Sequence, residues 1–99
     1  MLTIKVHNKF KKDLKLMIKR GYDENKLWDI VQTLVNEMPL PPKNRDHALS
    51  GDYLGCRECH IESDWLLVYE IQKNELLLIL TRTGTHSDRN RQFFLRMNC

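Results

Sequence analysis

Cys56-Arg57-Glu58-Cys59-His60 spells C-x-x-C-H, the spacing that attaches a c-type haem and that also supplies half of a zinc site. Asp64 and Trp65 follow closely, Arg82 and His86 come later, and His7 and His47 complete the histidines. Two chemistries compete for His60. In one it is a ligand beside two thiolates; in the other it joins a carboxylate, a guanidinium and a second imidazole in the kind of titratable cluster that marks active sites. The choice depends on the elements that carry these residues.

Leu2, Ile4 and Val6 alternate with Thr3, Lys5 and His7, which predicts a half-buried opening strand. Asn8 is placed to cap a helix whose apolar positions Phe10, Leu14, Met17 and Ile18 follow the 3.6-residue period, and Gly21 is placed to end it. Asp23 is placed to cap a second helix with Leu27, Ile30, Val31, Leu34, Val35 and Met38 on its core stripe. Residues 39–55, PLPPKNRDHALSGDYLG, break the periodicity with three prolines and two glycines and read as a surface loop. Three strands are expected after it, at about 54–62, 64–72 (DWLLVYEIQ) and 75–83 (ELLLILTRT), the last two joined at Lys73-Asn74. The order βααβββ predicts an α+β fold, a small mostly antiparallel four-stranded sheet with two N-terminal helices packed on it. With 99 residues, the chain reads as one domain, 1–99, with room for one sheet and two helices.

The hairpin then gathers the candidate residues. A two-residue turn at Lys73-Asn74 sets Trp65 opposite Arg82 and Ile61 opposite His86; a three-residue turn centred on Asn74 sets Glu62 opposite His86. Either register brings His60, Asp64, Trp65, Arg82 and His86 to one end of the sheet. The haem reading fits poorly, since the motif falls on an extended strand and the chain offers neither an export signal nor a helical apolar wrapping. Zinc needs two further ligands, and His7, His47 and His86 show no paired spacing. Both cysteines serve as small apolar residues on a strand, which leaves His60 to the titratable cluster.

Charge and hydropathy narrow the classes further. Residues 1–20 hold seven Lys or Arg against Asp13 alone, whereas the remainder holds nine basic and twelve acidic residues. The first helix therefore carries a basic stripe, either a solvated face or a surface for phosphates or an acidic partner. No apolar run approaches the roughly 20 residues a membrane span needs. The expected location is the cytoplasm, with no membrane contact, and three cysteines in a reducing compartment argue against a disulfide framework.

RDHALSG, CRECHIESDWLLVYEI and LTRTGTH, in this order behind two amphipathic helices, resemble the RelE superfamily of bacterial toxins and within it the YafQ branch. The family's pattern is Asp-His-x-Leu in the loop, Arg-x-x-His-x-x-x-Asp-hydrophobic into the next strand, and Arg-x-Gly-[Ser/Thr]-His at the last strand's end. The resemblance covers residues 1 to about 88. It implies the toxin of a type II toxin–antitoxin system: an endoribonuclease that cuts mRNA in the ribosomal A site, without metal or cofactor. The RNA's 2′-hydroxyl attacks the adjacent phosphorus and leaves a 2′,3′-cyclic phosphate. It further implies a cognate antitoxin, a DNA-binding dimer through which alone operator DNA is reached.

Carried across by position, the family's catalytic residues fall on His60, Asp64, Arg82 and His86. His86 is the expected general acid, Arg82 the cation at the phosphorane, and His60 or Asp64 the base or its orienting partner. His47 is expected to contact RNA, and Trp65 to support the site or stack. The sequence departs from the family in its tail, residues 89–99: Asn90 stands where the family carries an aromatic residue that stacks on a base, and Phe93 or Phe94 is the expected substitute. That departure keeps open an alternative, a catalytically weak RelE-like module that acts by binding antitoxin or RNA.

Overall fold

Two helices and a five-stranded mixed sheet make the framework of the computed structural model, which describes residues 1–89. The elements are β1 (Thr3–Val6), α1 (Asn8–Lys19), α2 (Glu24–Val35), β2 (His47–Ala48), β3 (Arg57–Glu62), β4 (Trp65–Gln72), β5 (Leu77–Gly84) and a four-residue helix α3 (His86–Arg89). Strand order is β1-β5-β4-β3-β2. β1 runs parallel to β5, from Thr3 opposite Leu77 to Val6 opposite Leu80, and the other neighbours are antiparallel.

The α+β class and the two N-terminal helices stand as expected, with two additions. β2 lies inside the stretch read as loop; two residues are too few to show a period, and they form a strand only by pairing with Glu58 and Arg57. α3 is likewise too short for a periodic signal, and its start is set by side-chain capping.

Helix boundaries follow local chemistry. Gly21, with φ of +96°, sits just past α1, where its N–H donates to the Ile18 carbonyl and that of Tyr22 to Met17. This paired closure needs a left-handed residue, which glycine adopts without steric cost. Asp23 caps α2 as expected, its carboxylate accepting from the Asn25 N–H at 3.0 Å. Asn8 does not cap α1: His7 holds that position, with no side-chain bond.

The core forms between the helices and one sheet face. Phe10, Leu14 and Met17 of α1 and Leu27, Val31, Leu34 and Val35 of α2 pack with Cys59, Trp65, Leu67, Tyr69, Leu78 and Leu80. Ile18 and Met38, expected in the stripes, are exposed, the latter because α2 ends at Val35. On the opposite sheet face Leu49, Tyr53 and Cys56 form a smaller cluster with Val68.

The β4–β5 register differs from both expected ones. Gln72 pairs with Leu77, so Lys73 to Leu76 form a four-residue turn, closed with Leu76 at φ of +55°. A bulge then places Val68 opposite Arg82 and Leu66 opposite Gly84. Arg82 therefore faces Val68 rather than Trp65, and His86 lies beyond the strand instead of pairing with Ile61 or Glu62.

Candidate active site

Strand alternation sorts the candidate residues onto two faces. His47, Glu58, Val68 and Arg82 stand in register across β2, β3, β4 and β5, and His60, Leu66 and Gly84 form the adjoining row. Cys59, Trp65 and Leu67 between them point into the helix-side core, so His47, Glu58, His60 and Leu66 face away from it, whereas Arg82, on the strand edge beside α1, reaches Asp13 of that helix. Three strand spacings separate His47 from Arg82, about 14 Å, whereas adjoining rows are about 7 Å apart.

At the end of these rows Asp64 and His86 meet. The His86 ring donates through Nδ1 to Asp64 Oδ1 at 2.6 Å, and its backbone N–H donates to the same oxygen at 3.0 Å. A carboxylate only accepts, so this contact puts the proton on Nδ1 and turns Nε2 outward. The two bonds, the imidazole's first, hold the Asp64 carboxyl below the usual carboxylate range. Both side chains remain about half exposed, open to a ligand.

The His60 ring stands 5.4 Å from that of His86, centroid to centroid, at 59°. An irregularity after His60 takes Ile61 out of register before Glu62 pairs with Trp65, and the His60 carbonyl accepts from the Asn44 amide at 2.7 Å. His60 and His86 line one cleft of about 420 Å³ with Lys43, Asn44, Arg45 and Ser63. Two imidazoles, one oriented by a carboxylate, beside basic side chains form a site able to take and give a proton on an anionic ligand.

What fixes His86 is visible in the sequence as Thr-x-x-Asp. The Thr85 hydroxyl accepts from the Asp88 N–H at 3.2 Å and the Asp88 carboxylate accepts from the Thr85 N–H at 3.0 Å, a capping box that starts α3 at His86. Burial works to raise the Asp88 pKa, but the Arg20 guanidinium at 2.8 Å and the Thr85 bonds outweigh it and lower it. Gly84 leaves room for this turn: a Cβ there would stand 3.0 Å from the Asp88 carboxylate.

Arg82 is placed differently from the histidines. It is 3% exposed and gives Asp13 of α1 a side-on pair of bonds, Nε to Oδ2 at 2.5 Å and a terminal nitrogen to Oδ1 at 3.0 Å. Its cleft, about 230 Å³, is lined by Lys9, Lys12 and Asp13 and is separate from that of the histidines. His47 sits at the other sheet edge, Nδ1 on the Arg45 carbonyl at 2.7 Å and Nε2 3.5 Å from Glu58. Asp46 secures that loop, accepting from Tyr69 at 2.5 Å and from Arg57; burial, then this bond, raises the Tyr69 pKa.

Trp65 belongs to the core. It is fully buried, stacks obliquely on Tyr22 at 5.2 Å and donates to Thr83 Oγ1 at 2.9 Å, a placement that suits support and not stacking on a base. Phe93 and Phe94 lie outside the described residues. The two cysteines lie on opposite sheet faces, Cys59 among the helix-side core and Cys56 with Leu49 and Val68, so C-x-x-C-H cannot converge on one ion. Burial, with the charges of Asp46 and Glu58, pushes the Cys59 thiol up to about 12, where it is inert. Sequence reasoning passed over Asp13, Asn44 and Asp88; the Thr-x-x-Asp spacing and the lone acid in a basic helix were the available signals.

These features define a class, a small α+β domain that carries an imidazole pair, one ring oriented by a carboxylate, on the sheet face away from its helices, and an arginine salt-bridged to its first helix. The chain belongs to the YafQ family: the family described as "Bacterial toxin of type II toxin-antitoxin system, YafQ" matches residues 2–90. The mRNA interferase toxin YafQ of Escherichia coli K12 is 41% identical over 85 residues, covering 85% of this chain and 90% of that protein. In the crystal structure of the Escherichia coli DinJ–YafQ complex a chain 38% identical superposes with a TM-score of 0.83, over 92% of this chain and 100% of that one. A metal-bound toxin from Helicobacter pylori is 49% identical, with a TM-score of 0.84 over 89% of this chain and 98% of that one. Among the described residues no helix is long and apolar enough to cross a membrane.

Proposed function

We propose that this chain is the toxin of a type II toxin–antitoxin pair, an endoribonuclease that cuts messenger RNA in the ribosomal A site. The reading rests above all on the Asp64–His86 pair, 2.6 Å, facing His60 across 5.4 Å in one cleft. The RNA's 2′-hydroxyl attacks the adjacent phosphorus as His60 takes its proton. His86 acts as an imidazolium whose Nδ1–H stays on Asp64, and its Nε2 gives its proton to the departing 5′-oxygen. The products are a 2′,3′-cyclic phosphate and a 5′-hydroxyl. Arg82, one row from Gly84 and in the adjoining cleft, offsets through space the charge that builds on the phosphorane, His47 contacts RNA, and Trp65 supports the strand that carries them. Base stacking falls to Phe93 or Phe94.

Imidazoles move both protons, so the reaction needs no metal; the Helicobacter pylori toxin's metal-bound state makes cleavage in the presence of chelator the relevant control. The partner is a cognate antitoxin, a reading the DinJ–YafQ toxin–antitoxin complex supports; that antitoxin is proposed to be a DNA-binding dimer that alone brings the toxin to operator DNA. The exposed lysines of α1, Lys9, Lys11, Lys12, Lys15 and Lys19, suit an acidic docking segment. The site of action is the cytoplasm.

The test is expression of the chain without an antitoxin, with 5′ ends mapped in the message pool. Growth arrest with new ends inside reading frames is expected, and His86→Gln should lower cleavage by about 10²- to 10⁴-fold. Equal cutting of naked RNA without ribosomes contradicts the mechanism. Asn90 in place of the family's aromatic residue favours a second reading, a weakly catalytic module; arrest by wild type and His86→Gln alike would select it.

A further inference from the structure

The geometry points to Asp13 as a positioning residue that holds the Arg82 charge at the place from which it acts on the RNA phosphate; this rests on the ribonuclease reading above. Asp13 stands on α1, not on the sheet that carries the cleft. It is the lone acid among seven basic residues in positions 1–20, and it is spent on Arg82 through two parallel bonds of 2.5 and 3.0 Å. Its Oδ2 also accepts from the Thr83 N–H at 3.3 Å. That N–H belongs to the part of β5 beyond the end of β1, whose pairing stops at Leu80. The carboxylate thus closes the strand edge and fixes a guanidinium in one step.

The pair uses Nε and one terminal nitrogen, so the plane of the guanidinium is set along with its position. Arg82 is 3% exposed and the Asp13 side chain 14%, which denies both the rotamer freedom of a surface pair. A long arginine without this partner would sample several rotamers, and a charge displaced by about 1 Å from its target loses on the order of 10²-fold in rate. Asp13 touches no substrate in this arrangement: it acts through Arg82. Lys9 and Lys12, which share the cleft, lie on the same helix, so the α1–β5 junction sets the basic side chains together.

Cleavage kinetics on a programmed ribosome test the inference, with Asp13→Asn, Asp13→Glu, Arg82→Ala and the Asp13→Asn/Arg82→Ala double variant, each with its melting temperature. Asp13→Asn is expected to lower kcat by about 10- to 100-fold, with KM changed less than about threefold. Asp13→Glu keeps the charge but shifts the guanidinium by roughly a methylene, so it should melt close to wild type yet still lose kcat. In the Arg82→Ala background Asp13→Asn should cost nothing further. Undiminished kcat in Asp13→Glu, or an equal loss from Asp13→Asn with and without Arg82, overturns the inference and makes the pair purely structural. A wild-type chain that cleaves no message overturns the ribonuclease reading itself, and this inference with it.

Discussion

Asp64→Asn separates orientation from proton supply at His86. In the wild type one carboxylate oxygen accepts both the ring Nδ1–H at 2.6 Å and the backbone N–H at 3.0 Å. The amide of the variant can keep one acceptor oxygen on these donors, so the fold of the turn should survive. What it loses is the negative charge facing the ring and the certainty of which ring nitrogen carries the proton. General acid catalysis as a whole contributes about 10²- to 10⁴-fold. The Asp64 side chain is 59% exposed, so water screens its charge and the loss should fall near the lower bound, about 10- to 100-fold in kcat. Single-turnover cleavage on a programmed ribosome, read by primer extension, measures it. Melting should move little. A variant that cleaves at the wild-type rate, or one whose lost activity only tracks unfolding, would refute the assignment of Asp64 as the group that orients His86.

Trp65→Phe removes a buried N–H bonded to Thr83 at 2.9 Å and part of the ring that meets Tyr22; the cost should be about 2 kcal/mol, or about 10 °C in Tm for a domain of this size, with cleavage measured well below Tm changed far less. Asp88→Asn weakens the capping box and the Arg20 contact, at about 1 kcal/mol near neutral pH. Because the folded Asp88 pKa is lowered from 3.8, its contribution is present above that value and lost as pH falls through the folded value. Melting curves of wild type and variant should therefore converge at pH below the folded value, part as pH rises toward about 4 and keep a constant gap above it; a gap that fails to close in acid would contradict the assignment.

Much of this molecule was fixed by local pattern. The apolar spacing of Phe10, Leu14 and Met17, the glycine at 21 and the aspartate at 23 determine where both helices lie and end, because helix period and capping act within a few residues. Three short motifs in order placed His60, Asp64 and His86 as one site, and the structure brings those three into reach of each other. Register was another matter. A four-residue turn with Leu76 left-handed and a bulge before Arg82 carry no strong local signal, and each extra residue turns the following side chains to the other face. Only the tertiary structure decided that Trp65 is core while Arg82 turns to the edge beside α1. It alone gave Arg82 its partner, since Asp13 is 69 residues away in sequence and no short-range rule connects a helix carboxylate to a strand edge that β1 leaves uncovered.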